Sequence, residues 1–263
     1  MNRPEANGGS LTVIGLGPGD PALLTGEAMR ALEEAEVLYG YGPYLSRVPM
    51  REGQRRVESD NRQELERARA AWTDAAAGAR VAVVSGGDPG VFGMAAAVCE
   101  ALETGPESWR GIRLSITPGV TAMLALAARL GAPLGHDFCA ISLSDNLKPW
   151  EVIEARLRAV ASAGFVIALY NPISRHRPWQ LGRALSVLGE CLAPSTPVAL
   201  GQAIGRHNES MEITQLAQVR PESANMSTCV IIGTAESRLV ARGDLRPLLY
   251  TPRSMPSPST ERT

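Results

Sequence analysis

Lysine is almost missing from this chain. Lys148 is the only one among 26 basic residues, and arginine supplies the rest. Arginine's planar fork can grip a carboxylate through two hydrogen bonds, which lysine cannot do. Net charge is missing too: the formal balance is -1, so nothing points to nucleic acid or an anionic membrane surface as a partner. No apolar run approaches the roughly 20 residues that span a bilayer. The opening MNRPEANGGS lacks the apolar core of a secretory signal, which reads as a cytoplasmic protein. Cys99, Cys139, Cys191 and Cys229 are scattered, with no CxxC pair among them. Neither a zinc site nor an iron–sulfur cluster is signalled, and the four read as buried free thiols.

What is present is an apolar content of 44 % over 263 residues, enough for one large core or two modest ones. Strand-like runs over 11–14, 36–39, 81–84 and 112–116 alternate with helical patterns over 26–35, 62–77, 91–102 and 120–130. This alternation predicts a mostly parallel α/β layer. The pattern breaks at GAPLGHD, residues 131–137, which reads as a linker. A second series follows, with strands over 138–143, 165–170, 197–203 and 229–233 and helices over 150–162 and 179–188; 211–214 is a further candidate strand. The expectation is an α/β protein of two domains, 11–134 and 138–250, with a ligand cleft between them. A proline- and serine-rich tail, 251–263, is expected to be disordered.

Four strand ends carry small or polar loops: GLGPGD after the first strand, SGGDPGVFG from Ser85, TPGVTA from Thr117 and YNPIS from Tyr170. In open α/β sheets, ligands bind beyond the carboxyl ends of strands. A dinucleotide fingerprint would need a third glycine where Asp20 stands, and an acid closing the second strand, where Tyr39-Gly40-Tyr41 follows. Asp20 and Asp88 disfavour a polyphosphate and suit a cationic or hydroxyl-rich ligand. Thr121 is expected in the first turn of its helix, where hydroxyl and backbone N–H groups can meet a ligand.

GLGPGDPALLT, SGGDPGVFG, TPGVTA, GAPLGHDF and LYNP, in this order, resemble the tetrapyrrole methylases over roughly 11–252. The runs HDFCAISLSDNLKPWEVIEARL, FVIALYNPISRHRPWQL and IIGTAESRL are similar to the branch that acts on precorrin-3B at carbon 17. The resemblance implies S-adenosylmethionine as methyl donor, a precorrin as substrate and a homodimer. Carried over by motif, the donor site would include Pro18, Gly86, Gly87, Asp88, Val91, Thr121, Ala122, Asn171 and Ala203. The loop around Pro18 would wall the trough where tetrapyrrole and donor meet, which puts Asp20 on the substrate side. Some relatives carry an aspartate just after the second strand. Gly40 stands there, so the motifs single out no catalytic base.

Several side chains stay open between a bland and a functional role. Arg175, His176 and Arg177 form a basic knot after YNP; its arginines could grip the carboxylate arms of a precorrin or start a solvated helix. Asp145 and Asn146 fit a helix cap or a cleft role, and His136-Asp137 a hinge contact or a proton-transfer pair. Trp150 and Trp179 read as core or interface. Other readings also remain open: a sister methylase for precorrin-4 or precorrin-2, a nicotinamide-dependent oxidoreductase, or a non-catalytic binding module.

Overall fold

A computed structural model describes residues 8–60, 62–174 and 177–254. The chain divides into two compact units, Met1–Ala122 and Met123–Thr263.

The first unit contains β1 (Ser10–Gly15), α1 (Gly26–Glu34), β2 (Val37–Tyr41), the short α2 (Gly42–Leu45), β3 (Arg55–Ser59), α3 (Glu64–Ala76), β4 (Arg80–Ser85), α4 (Met94–Glu103) and β5 (Arg113–Thr117). The five strands form one sheet in the order β3-β2-β4-β1-β5, and every pairing is parallel. A parallel sheet is covered on both faces, so its central strands are apolar throughout. Val81 and Val83 of β4 pack with Ala68, Ala71 and Trp72 of α3 and Val98 of α4. Ala82 and Val84, pointing the other way, pack with Ala28 and Leu32 of α1 and with Leu45. α1 starts where Thr25 Oγ1 accepts the Ala28 N–H at 3.1 Å, a side-chain cap that ends the opening loop.

The second unit takes up α5 (Ala122–Leu130) from its second residue, then β6 (Gly131–Ala132), β7 (Phe138–Ser142), α6 (Trp150–Ser162), β8 (Val166–Tyr170), α7 (Gln180–Gly189), β9 (Pro197–Gln202), β10 (Ser210–Gln215), β11 (Thr228–Ile232), β12 (Arg238–Arg242) and β13 (Leu245–Tyr250). Its main sheet has the order β10-β9-β11-β8-β7 and is mixed. β7 and β8 are parallel; β11 runs antiparallel to both β8 and β9, and β10 runs antiparallel to β9. So β7, β8 and β9 point the same way, and their carboxyl ends lie along one edge. Ile153 and Leu157 of α6 and Leu181, Val187 and Leu188 of α7 bury this sheet's core.

The division falls a helix earlier than the linker at 131–137. The reason lies in packing: a Cβ at Gly201 of β9 would come within 2.5 Å of the Leu126 side chain of α5, and β6 pairs with β13 at Gly131 and Leu249. Helix α4 begins at Met94 rather than 91, because Phe92 has φ of +53°. Thr121 precedes α5 instead of lying within its first turn. Thr251, the first residue of the expected disordered tail, is buried; its Oγ1 donates to the Pro133 carbonyl at 2.7 Å and shares a 2.8 Å hydrogen bond with Ser237. Residues 255–263 of that tail lie outside the described residues. Cys229 is buried and Cys139 half-buried, whereas Cys99 and Cys191 are exposed, against the expectation for those two. No helix among the described residues is long and apolar enough to cross a membrane.

Candidate functional site

In the first unit the loops after β4, β1 and β5 follow three adjacent strands, the last of them at the sheet edge. Those after β1 and β4 are clasped backbone to backbone. Gly17 N–H donates to the Gly87 carbonyl at 3.1 Å and Gly87 N–H to the Gly17 carbonyl at 2.9 Å, with φ of +67° and +66°. Only glycine takes that conformation without strain. A Cβ on Gly119 would lie 2.2 Å from the Gly87 carbonyl oxygen, and one on Gly15 would lie 2.7 Å from Gly119 N. Pro18 is buried beside this clasp. Gly119, which the motif reading passed over, has even less room for a Cβ than Gly86, 2.2 against 2.7 Å to the nearest atom.

Asp88 does not face outward with free oxygens. Its Oδ1 accepts the Gly90 N–H at 2.8 Å and its Oδ2 accepts the Gly119 N–H at 3.0 Å. Gly86 has no room for a Cβ, which would fall 2.7 Å from the Tyr44 ring. Val91 is exposed to an intermediate degree and Phe92, next to it, is 52 % exposed. Thr121 is buried, ahead of Ala122 at the start of α5.

Asp20 Oδ1 accepts the Ala22 N–H at 2.9 Å, capping a single 3-10 turn over Pro21–Leu23. The residue also borders a cavity of about 310 Å³ walled by Leu16, Met29, Leu32 and Val48, with Arg47 at its edge. Arg47 donates to the carbonyls of Leu16 and Gly17 at 3.2 and 2.8 Å, bracing the opening loop from behind. Gly40, where some relatives carry an acid, is dictated by packing: a Cβ there would meet Val84 at 2.5 Å.

In the second unit the ends of β7, β8 and β9 carry the remaining candidates. Asn171 follows β8 with φ of +53°, and its Nδ2 donates to Ser142 Oγ at the end of β7, at 2.9 Å. Tyr170 Oη accepts the Met123 N–H of α5 at 3.0 Å. Ala203 follows β9, buried, with φ of +48°; its N–H donates to the Ser227 carbonyl at 3.0 Å. Among the described residues, the non-glycine residues with left-handed backbone are Phe92, Asn171 and Ala203. Each costs about 1–3 kcal/mol, and such strain gathers where a loop must meet a ligand. Two of the three are residues that the motifs had already assigned to the donor site.

The basic knot is described only at Arg177. Arg175 and His176 lie outside the described residues. Arg177 forms an ion pair with Asp145, which also accepts from Gln180 Nε2 at 2.9 Å. Arg177 meets Asp145 through Nη1, and Asp145 caps no helix: α6 starts at Trp150, and its N-cap Pro149 makes no side-chain hydrogen bond. His136 Nδ1 accepts the Asp137 N–H at 2.7 Å, a local contact in the loop before β7. Trp150 and Trp179 pack edge to face with ring centroids 4.7 Å apart.

Comparison with known proteins shows the family and the fold. The family model Tetrapyrrole (Corrin/Porphyrin) Methylases matches residues 10–220. The precorrin-3B C(17)-methyltransferase of a Sinorhizobium species is 59 % identical over 245 residues, covering 93 % of this chain and 96 % of that protein. The crystal structure of the methyltransferase CobJ superposes with a TM-score of 0.88 at 48 % identity, covering 93 % of this chain and all of that one. A uroporphyrin-III C-methyl transferase from Thermus thermophilus, solved in complex with S-adenyl homocysteine, has a TM-score of 0.63 at 26 % identity, covering 86 % of this chain and 97 % of that one.

Proposed function

This chain belongs to the tetrapyrrole (corrin/porphyrin) methylases, and from that membership we propose the reaction it carries out. It transfers the methyl group of S-adenosylmethionine to carbon 17 of precorrin-3B, with contraction of the macrocycle to precorrin-4, in cobalamin biosynthesis. The observation that carries this reading is the near full-length likeness to the Sinorhizobium enzyme. The glycine clasp supports it: backbone carbonyls and amides stand where a phosphate cradle would need free donors, which suits a sulfonium cation with a ribose diol.

Donor-binding residues on this reading are Pro18, Gly86, Gly87, Asp88 (as part of its loop), Val91, Thr121, Ala122, Asn171 and Ala203. Methyl transfer to a nucleophilic carbon needs little acid–base help. Holding sulfonium, methyl and carbon in line supplies much of the acceleration, and a loop locked by Pro18, Gly17 and Gly87 is suited to that. Asp20 stands on the substrate side, with Arg175 and Arg177 as further contacts to its carboxylates. The enzyme works as a cytoplasmic homodimer on this reading; the exposed Leu239, Val240 and Leu245 of β12 and β13 offer apolar surface for a second copy.

A nicotinamide cofactor is disfavoured by Asp20 at the third-glycine position and by Gly40, which has no space for the acid that would bind a ribose. A thermal-shift comparison separates the classes. S-adenosylhomocysteine is expected to raise the melting temperature and NAD to leave it unchanged. The opposite pattern contradicts the methylase reading.

A further inference from the structure

Three loops of the first unit meet around Asp88. The Asp88 carboxylate spans two of them, accepting Gly90 N–H from its own loop through Oδ1 and Gly119 N–H from the loop after β5 through Oδ2. The third loop joins through the paired hydrogen bonds between Gly17 and Gly87. Space between these backbones is exhausted: a Cβ on Gly119 would fall 2.9 Å from Gly15 C as well as 2.2 Å from Gly87 O. Such close approach of chain to chain needs something to fix its register. A carboxylate accepting N–H bonds from both loops does so with charge-assisted hydrogen bonds, the stronger kind.

We propose that Asp88 is a positioning residue, whose carboxylate locks the loops after β4 and β5 together so that the backbone of Gly86, Gly87 and Thr121 is preset for the donor, and that it makes no ion pair with the sulfonium. This rests on the reading that these loops hold S-adenosylmethionine. The sequence alone suggests the opposite role, an acid opposite a cation. The hydrogen bonds decide for the lock, because one oxygen is committed to its own loop and the other to a loop 31 residues further along the chain.

The two roles separate in one comparison. S-adenosylmethionine carries the sulfonium charge and S-adenosylhomocysteine, a thioether, does not. Losing an ion pair weakens the first more than the second; losing a lock weakens both alike. Asp88→Asn keeps the shape but turns an NH₂ toward one of the two amides, so one hydrogen bond is lost. Calorimetry without precorrin is expected to show both ligands bound about tenfold more weakly, as for one hydrogen bond to a charged group, with their affinity ratio unchanged and a cooperative melting transition retained. Gly119→Ala leaves the carboxylate in place but wedges the loops apart; it is expected to weaken both ligands alike too. A selective loss of S-adenosylmethionine affinity in Asp88→Asn, or wild-type affinity for both ligands, overturns the proposal. Hydrogen exchange on the wild type needs no variant: the Gly90 and Gly119 amides are expected to be protected, and rapid exchange at both overturns the lock. If wild type binds neither ligand while both amides are protected, the donor assignment fails and the lock itself stands.

Discussion

At the scale of single residues, Pro18 separates a turn from a working part. Proline fixes φ near -65°, and Pro18 is buried beside the Gly17–Gly87 clasp. If the loop merely turns the chain, Pro18→Ala changes stability modestly and leaves turnover per folded molecule intact. On our account it loosens the loop that aligns the methyl group, and small misplacements can cost about a hundredfold in rate. Turnover is therefore expected to fall much further than the melting temperature or S-adenosylhomocysteine affinity; equal turnover by wild type and variant would reduce the loop to scaffolding. The cysteines give a simpler check. Burial alone pushes the Cys229 thiol up to about 12 and the Cys139 thiol up to about 11, so at pH 8 both stay protonated and poorly nucleophilic. Titration of the native protein with a thiol reagent is expected to label two sites, Cys99 and Cys191, and the others after unfolding. Labelling of Cys229 in the native protein would show that its surroundings open.

At the scale of elements, α6 and α7 are tied by an ion-pair cluster centred on the largely shielded Glu154, which accepts from Trp150 Nε1 at 2.7 Å and pairs with Arg158 and Arg183. Hydrogen bonding from Arg183 chiefly, then from Trp150 and Arg158, holds the Glu154 carboxyl down at about 2. A carboxyl whose folded value is depressed contributes stability above its unfolded value, near 4.3, and that contribution is lost as pH falls toward 2. Glu154→Gln should thus flatten the fall of stability between about pH 4.5 and 2; an unchanged acid limb would mean the cluster contributes nothing measurable. Arg177 and Asp145 form a second link, between the segment after β8 and the one after β7. A double-mutant cycle with Arg177→Ala and Asp145→Ala is expected to show coupling of about 0.5–3 kcal/mol, and additive effects would mean that the pair does not tie the two segments together.

These elements also show what was legible in the sequence. Central strands such as β4 and β8 announce themselves, because burial on both faces demands unbroken apolar runs. Helix α6 starts and ends where its pattern does, with Pro149 just before it. β3 was missed because RRVES sits at a sheet edge and carries mostly charge, as edges tolerate. β12 was missed for the same kind of reason: all five of its residues are exposed. Of the site, the loops were readable as motifs. The partners were not, since the Asp88–Gly119 and Asn171–Ser142 hydrogen bonds join residues 31 and 29 apart in the chain.

At the scale of the whole molecule, one family likeness covers both units: the matched residues run from 10 to 220, and the parallel sheet of the first unit and the mixed sheet of the second each present loops at the carboxyl ends of strands. The most direct test of the account is to incubate the full chain with precorrin-3B and methyl-labelled S-adenosylmethionine and to determine the mass of the product and the carbon that carries the label. We expect one labelled methyl group per product molecule, at carbon 17 of a contracted macrocycle. Label on a different carbon, or label transferred to precorrin-4 or precorrin-2 in preference to precorrin-3B, would assign the chain to a sister reaction; no transfer by protein that binds S-adenosylhomocysteine would contradict the account outright.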